Sequence, residues 1–344
     1  MDAPRVAVVG ATGAVGSVFL RILEEREFPI GSLRLCASER SVGTSRKVNG
    51  REYVLEQATP ELLAEVDITF IAAGGSVSSE LAPIAVQQGS LVIDKSSAFR
   101  MDPDVPLVVP EVNADDLCDH RGIIASPNCT TTPFVMALKA LHDTNPVRRA
   151  IVDSYQSVSG TGAAAVDELL NQSRQVLDGT PAEPAQYPHQ IAFNALPQVD
   201  PFTDNGYTTE EMKLLNETRK ILHAPEIEVS ATCVRIPVTV GHSEAVHIEL
   251  THPMDPAEVR EALSAFPGIT VVDDPQSHVY PMAVDAEGHD DVYIGRIRRD
   301  ISHPNGIAMW IGCDNLRKGA ALNAIQIAEE VLSRELLLAP GRRV

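Results

Sequence analysis

The stretch Arg5-Val6-Ala7-Val8-Val9-Gly10-Ala11-Thr12-Gly13-Ala14-Val15-Gly16 decides how this chain folds. A β-branched apolar run, Arg5–Val9, stops at a glycine, and a helical pattern, Val15–Glu25, opens within the same turn. Gly10, Gly13 and Gly16 allow a tight turn and let backbone N–H groups approach a pyrophosphate at the positive end of a helix. The spacing is GxxGxxG, looser than GxGxxG, so the order strand, turn, helix supports dinucleotide binding more than the glycines do. The bland alternative is a glycine-rich turn with no ligand.

Working outward, short β-branched runs recur at Leu33–Ala37, Ile68–Ala72, Leu91–Ile93 and Ile123–Ser126. Amphipathic stretches lie between them, among them Val77–Gln88, closed by Gly89. Strands alternating with helices predict a parallel, doubly wound sheet. From about Ala150 the texture changes. Ala150–Gln156, Glu226–Pro237, Ser243–Thr251 and Asp291–Ile297 are longer β-like runs, several of them alternating, as in a sheet with one face differently covered. Helical patterns at Ala163–Leu177, Thr209–His223 and Pro256–Phe266 sit among them, and the proline-rich Asp178–Pro188 reads as a loop. A last helix, Gly319–Leu338, has Ala321, Ile325, Ala328, Val331 and Leu332 on one face and is expected to pack back on the first domain.

Bulk composition narrows the partners. The 344 residues suit two domains, and 28 Lys and Arg against 47 Asp and Glu leave a formal charge of −19. Neither nucleic acid nor an anionic membrane surface suits that balance. An anionic substrate must therefore be held by locally placed basic residues. The start runs straight into a strand with no signal-peptide pattern, and no apolar run reaches the length of a membrane span, so a soluble, cytoplasmic protein is expected. The five cysteines are scattered with no CxxC pair, which favours neither a disulfide scaffold nor a zinc site, and no metal is expected.

Four segments bear on chemistry. After the second strand come Ser38-Glu39-Arg40-Ser41. Arg40 and Ser41 suit the 2′-phosphate of NADP, whereas Glu39 would suit the bare ribose hydroxyl of NAD. Next, Ser126-Pro127-Asn128-Cys129-Thr130-Thr131-Thr132-Pro133 runs from a strand into a helix striped by Phe134, Val135, Leu138 and Leu141. Cys129 thus falls at a helix N-terminus, where the partial positive charge favours a thiolate and free N–H groups suit a developing oxyanion. That arrangement marks Cys129 as a nucleophile rather than a structural thiol.

The third segment, Ser154-Tyr155-Gln156-Ser157-Val158-Ser159-Gly160-Thr161-Gly162, again runs from strand into a glycine-rich loop. Gln156 suits orientation of an acyl oxygen, and Ser159-Gly160 suits close approach of a nicotinamide, although such loops often only turn the chain. In the fourth, Arg235-Ile236-Pro237-Val238-Thr239-Val240-Gly241-His242, two strand-like runs bring an arginine and a histidine together. Arginine clasps carboxylates and histidine moves protons near neutral pH. On these residues alone a surface arginine and a satisfied histidine fit equally well, and nothing local singles out His242 among ten histidines.

Taken together, the chain resembles the aspartate-semialdehyde dehydrogenase family. The resemblance is carried by GATGAVG at 10–16, AAGGSVS at 72–78, DKSSAFR at 94–100, SPNCTTTP at 126–133, SYQSVSGTG at 154–162, QIAFNALPQVDPF at 190–202, EEMK at 210–213, RIPVTVGHSE at 235–244 and GCDNLRKGAALNA at 312–324. It implies an α/β protein with an N-terminal Rossmann-like dinucleotide-binding domain (1–127), a C-terminal α+β catalytic and dimerisation domain (128–318) and a terminal helical segment (319–344) returning to the first. The implied reaction is L-aspartate 4-semialdehyde + phosphate + NADP+ ⇌ L-4-aspartyl phosphate + NADPH, on the route to lysine through diaminopimelate, threonine and methionine, in a homodimer.

The resemblance also implies roles. Cys129 is the nucleophile, His242 the acid/base, and Gln156 orients the acyl group. Arg235 holds the substrate carboxylate and Glu210 faces its amine, while Arg100, Asn128 and Lys213 bind phosphate. Gly10, Thr12, Gly13, Ala14, Val15, Gly16, Arg40, Ser41, Ser159, Gly160 and Asn315 contact NADP. The chemistry agrees, because a planar aldehyde cannot release hydride until a thiolate has added to it. Two rivals are N-acetyl-gamma-glutamyl-phosphate reductase, whose nucleophile typically follows Pro-Gly rather than Pro127-Asn128, and a non-catalytic NADP-binding sensor, which needs neither Cys129 nor His242.

Overall fold

The computed structural model describes residues 3–337, so Leu338, the end of the expected last helix, lies outside the described residues. Two compact units emerge, one running to Asn128 and resuming at Ala320, the other spanning Cys129–Gly319.

The first unit is built on seven strands, β1 (Arg5–Val9), β2 (Ser32–Cys36), β3 (Ser45–Val48), β4 (Arg51–Glu56), β5 (Ile68–Ile71), β6 (Leu91–Asp94) and β7 (Ile123–Ala125), in the order β3-β4-β2-β1-β5-β6-β7. Every neighbouring pair is parallel except the hairpin β3–β4. Strands β5 and β6 are buried at every position, the mark of a sheet covered on both faces. Phe70 meets Phe19 of the helix Ala14–Glu25 at 4.5 Å between ring centroids, while Ile71, on the opposite side of the pleat, packs with Ala82 and Ala85 of the helix Gly75–Gln87. The β3–β4 hairpin was not anticipated. Its signal is Asn49-Gly50, where both residues have positive φ (47° and 73°), as a type I′ turn requires.

The last helix is shorter than expected. It opens as a π-helical turn, Arg317–Ala321, and continues as the α-helix Leu322–Ser333. The Glu335 N–H donates to the Leu332 carbonyl and the Leu336 N–H to that of Val331, with Glu335 at φ 57°. This is a Schellman stop with glutamate where glycine usually sits, so no glycine marks the end in the sequence. The helix buries Leu322, Ile325, Ala328 and Val331 within the first unit, and Arg26 pairs with Glu329 at 2.6 Å.

The second unit holds a mixed sheet of β8 (Val147–Gln156), β9 (Glu228–Arg235), β10 (His242–Leu250), β11 (Ile269–Val271), β12 (Val292–Arg299) and β13 (Gly306–Cys313), ordered β11-β12-β13-β10-β8-β9. Strand β13 was missed in the sequence. Gly-Ile-Ala-Met-Trp-Ile-Gly-Cys is buried almost throughout, and such a run has no period of two to betray it. Helix Ala163–Leu177 lies where its pattern placed it, and the helix Thr209–Ile221 is started by a Thr208–Glu211 capping box.

Register is what assembles chemistry here. Gln156 pairs with Arg235, Ser243 with Tyr155, and His242 with Cys313, so Arg235, Gln156, His242 and Cys313 form one row across β9, β8, β10 and β13. Because the side-chain period of a strand is two, the next row on the same face is Cys233, Ser154, Glu244 and Ile311.

That second row contains a costly residue. Glu244 is 1% exposed, and neither carboxyl oxygen has a hydrogen-bond partner among the described residues. Burial raises its pKa well above the ordinary glutamate value, and the thiols of Cys233 and Cys313, also raised chiefly by burial, feel its charge. Below about pH 4.3, the usual glutamate pKa, folded and unfolded chains both carry the proton. As pH rises the unfolded chain ionises first, so stability falls by up to about 1.36 kcal/mol per pH unit until the folded carboxyl ionises too. Glu244→Gln, which cannot ionise, should therefore gain on the wild type as pH rises. Thermal unfolding at pH 5.5 and pH 8 measures this; a melting-temperature difference that is the same at both would mean Glu244 does not titrate.

Candidate active site

The glycines of the first turn have unequal jobs. Gly10 has φ 86°, and a β-carbon there would lie 2.5 Å from the Ala72 carbonyl oxygen; one on Gly16 would lie 2.1 Å from that of Gly10. Both positions are required by the chain itself. Gly13 is exposed, and a β-carbon on it would meet only the Gly10 oxygen, at 3.4 Å. It is the N-cap of the helix Ala14–Glu25, with no side-chain cap and no acid in the first turn. The N–H end formed by Gly13, Ala14 and Val15, with Thr12 beside it, suits a diphosphate. Arg40 is exposed and Ser41 half-buried in the turn after β2, where the Ser41 N–H donates to the Ser38 carbonyl.

In the second unit, the helix Thr131–His142 begins two residues after Cys129, with no side-chain cap hydrogen bond at Thr130 and no acid in its first turn. Its first turn keeps the partial positive charge that favours a thiolate. Cys129 Sγ lies 3.3 Å from His242 Nε2. The other ring nitrogen, Nδ1, accepts from the Ser157 backbone N–H at 3.0 Å. That hydrogen-bond pattern assigns the proton of the neutral ring to Nε2, aimed at the sulfur. Ser157 Oγ is 3.1 Å from Nδ1 and donates to Asn315 Oδ1.

Asn315 is turned inward. Its Oδ1 accepts from Ser157, Ser159 and the Gly241 N–H, and its Nδ2 donates to Ser159 Oγ. It thereby ties the loop at 157–159 to the turn preceding His242. Gly160 leaves room on the other side. A β-carbon there would lie 3.2 Å from Arg235 Nη1 and 3.4 Å from His242 Nε2, so any side chain would intrude between the two.

The remaining residues expected to meet substrate form a connected set. Gln156 Nε2 donates to Glu210 Oε1 at 3.2 Å, and Lys213 bridges Glu210 and Asp200 at 2.8 and 2.6 Å. Burial alone would lower the Lys213 pKa, but the two carboxylates outweigh it and hold the ammonium above the ordinary lysine range. Arg235 donates from Nη1 to the Ser157 carbonyl at 2.7 Å, and its buried Nε has no partner among the described residues. Its guanidinium stands 6.0 Å from the Tyr187 ring centroid and lines a cavity of about 370 Å³ with Thr161, Tyr187 and Asp200. Opposite charges, Arg235 and Asp200, thus border one cavity. Arg100 and Asn128 are both buried and belong to the first unit, where Arg100 Nη2 donates to the Lys95 carbonyl. Sequence reasoning gave no role to Ser157, Tyr187 or Asp200, although Ser157 and Asp200 lie inside quoted motifs. Only the three-dimensional partners distinguish them.

A nucleotide-binding unit followed by a unit bearing this cysteine–histidine pair defines a semialdehyde dehydrogenase. Residues 5–120 match the family model described as "Semialdehyde dehydrogenase, NAD binding domain", and residues 138–318 match "Semialdehyde dehydrogenase, dimerisation domain". The aspartate-semialdehyde dehydrogenase of Aquifex aeolicus is 52% identical over 337 residues, covering 97% of this chain and 99% of its own. That of Bacillus subtilis is 49% identical over 340 residues, covering 96% and 98%. The crystal structure of aspartate semialdehyde dehydrogenase II from Vibrio cholerae, complexed with ASA, superimposes with a TM-score of 0.94 at 47% identity, covering 97% of this chain and 99% of that one. The chain belongs to the aspartate-semialdehyde dehydrogenase family. Among the described residues, no helix is long and apolar enough to cross a membrane.

Proposed function

We propose that this chain is a cytoplasmic, homodimeric enzyme that reduces L-4-aspartyl phosphate to L-aspartate 4-semialdehyde with NADPH, releasing phosphate, in the biosynthesis of lysine, threonine and methionine. The observation that supports it most is the 3.3 Å approach of Cys129 Sγ to His242 Nε2 at a helix start, in a chain about half identical to enzymes of that name. The reductase of N-acetyl-gamma-glutamyl phosphate is not favoured, because the relatives matched along nearly the whole chain are aspartate-semialdehyde dehydrogenases.

The Cys129 thiolate attacks the acyl carbon, and the carbon–oxygen bond to phosphate breaks with its electron pair, leaving a thioester. The Gly13–Val15 turn, with Arg40 and Ser41 for a 2′-phosphate, would hold NADPH, and a bound NADPH would supply the hydride for that carbon. His242 lends a proton to the oxygen of the resulting hemithioacetal and takes it back as the carbonyl reforms and Cys129 leaves as thiolate. Arg235 takes the substrate carboxylate with its fork, and Gln156, fixed by Glu210, turns the acyl oxygen. Lys213 and Arg100 supply positive charge for phosphate within a chain of net charge −19.

In the reverse direction, the protein with L-aspartate semialdehyde, phosphate and NADP+ should generate NADPH absorbance that depends on all three. Turnover that persists without phosphate, or that is faster with N-acetyl-glutamate semialdehyde, would defeat this reading.

A further inference from the structure

We propose that Gly319 is a positioning residue for the nucleophile, its bare Cα serving as the wall against which the Cys129 backbone is set; this rests on the reading of Cys129 as nucleophile. A β-carbon on Gly319 would lie 3.0 Å from Cys129 Cβ, 3.0 Å from the Cys129 carbonyl oxygen and 3.2 Å from Cys129 Cα. Two of these three atoms are backbone and cannot swing aside. Gly319 is not among the glycines with positive φ, so close approach, not conformational freedom, is what demands glycine here.

The far side of the turn is firmly held. Gly319 lies in the π-helical turn Arg317–Ala321, a wide turn that recurs at functional sites. Its N–H donates to the Asp314 carbonyl, and the Asp314 carboxylate accepts from the N–H groups of Leu316, Arg317 and Gly288. Arg317 is further tied to Asp290 at 2.6 Å. A methyl on residue 319 therefore meets Cys129 from a turn that is itself firmly tied. The chain enters this unit at Cys129 and leaves it at Gly319, so the nucleophile is set by the unit's two ends held against each other. The displacement acts directly on the 3.3 Å contact between Sγ and His242.

Gly319→Ala obliges Cys129 to give by a few tenths of an ångström and should lower kcat by about tenfold, short of the roughly 10²-fold loss that a full 1 Å misplacement brings. It should also slow alkylation of Cys129 by iodoacetamide at pH 7, while the KM for NADP+ stays as in the wild type. A merely structural glycine would leave the alkylation rate of the folded enzyme unmoved. A double-mutant cycle guards against simple misfolding. The loss of melting temperature caused by Gly319→Ala should be smaller in a Cys129→Gly background, which removes the β-carbon it meets. Equal losses in both backgrounds would overturn the proposal, as would wild-type kcat and alkylation in Gly319→Ala while Cys129→Ala is inactive. If Cys129→Ala itself turns over, the nucleophile reading fails and the proposal fails with it.

Discussion

Cys129→Ala is expected to lose at least about 10⁴-fold in turnover, the scale on which removal of a nucleophile is felt, while NADP+ binds as in the wild type. The residues assigned to the cofactor's phosphates lie in the first unit, on the Gly10–Gly16 turn and after β2, whereas Cys129 and His242 belong to the second. No other thiol is placed to substitute. Burial pushes the Cys36 thiol up to about 12, and burial likewise raises Cys233 and Cys313, so none of the three supplies a thiolate near neutral pH. Cys313 is instructive, because it pairs directly with His242 across β10 and β13 yet lies wholly inside. Cys118 is exposed but sits on the short 3₁₀ segment Ala114–Asp119 of the first unit. NADPH absorbance and a cofactor-binding titration on the same preparation measure the two quantities. Near-wild-type turnover in Cys129→Ala would end the covalent mechanism.

The parts of this molecule that were legible in the sequence are those governed by local physics. Glycine spacing, β-branched runs and helical stripes located β1, β2, β5, β6 and β7, because each element's burial is written in its own residues. Cys129 was legible for the same reason, since strand, turn and helix N-terminus are contiguous. What escaped depends on distant partners. Strand β13 is buried on both of its faces at nearly every position and so shows no alternation. Glu335 stops a helix in a conformation that glutamate does not advertise. Ser157 acquires its place from His242, 85 residues away, and Asp200 from Lys213. Gly319 lies against Cys129 from the opposite end of the second unit's sequence. His242 belongs to both groups: its residue type suggested proton transfer, but only the β8–β10–β13 register separates it from the other nine histidines.

His242→Asn is expected to cut kcat by about 10²–10⁴-fold, the usual contribution of general acid–base catalysis, and so to stop short of the Cys129→Ala loss. Asparagine retains a polar group near the Ser157 N–H but removes Nε2, the atom that faces Cys129 Sγ. The ring is 1% exposed and held at Nδ1 by the Ser157 N–H, so it has little freedom to turn away. The resting tautomer adds a second consequence: the Nε2 proton points at the sulfur and stabilises it as thiolate. Iodoacetamide should therefore alkylate Cys129 more slowly in His242→Asn at pH 7, in parallel with the fall in kcat. A reduced kcat with an unchanged alkylation rate would confine His242 to proton transfer on the substrate oxygen and reverse the tautomer assigned here. If neither quantity moves, His242 is a structural histidine, and its closeness to Cys129 has no part in the chemistry.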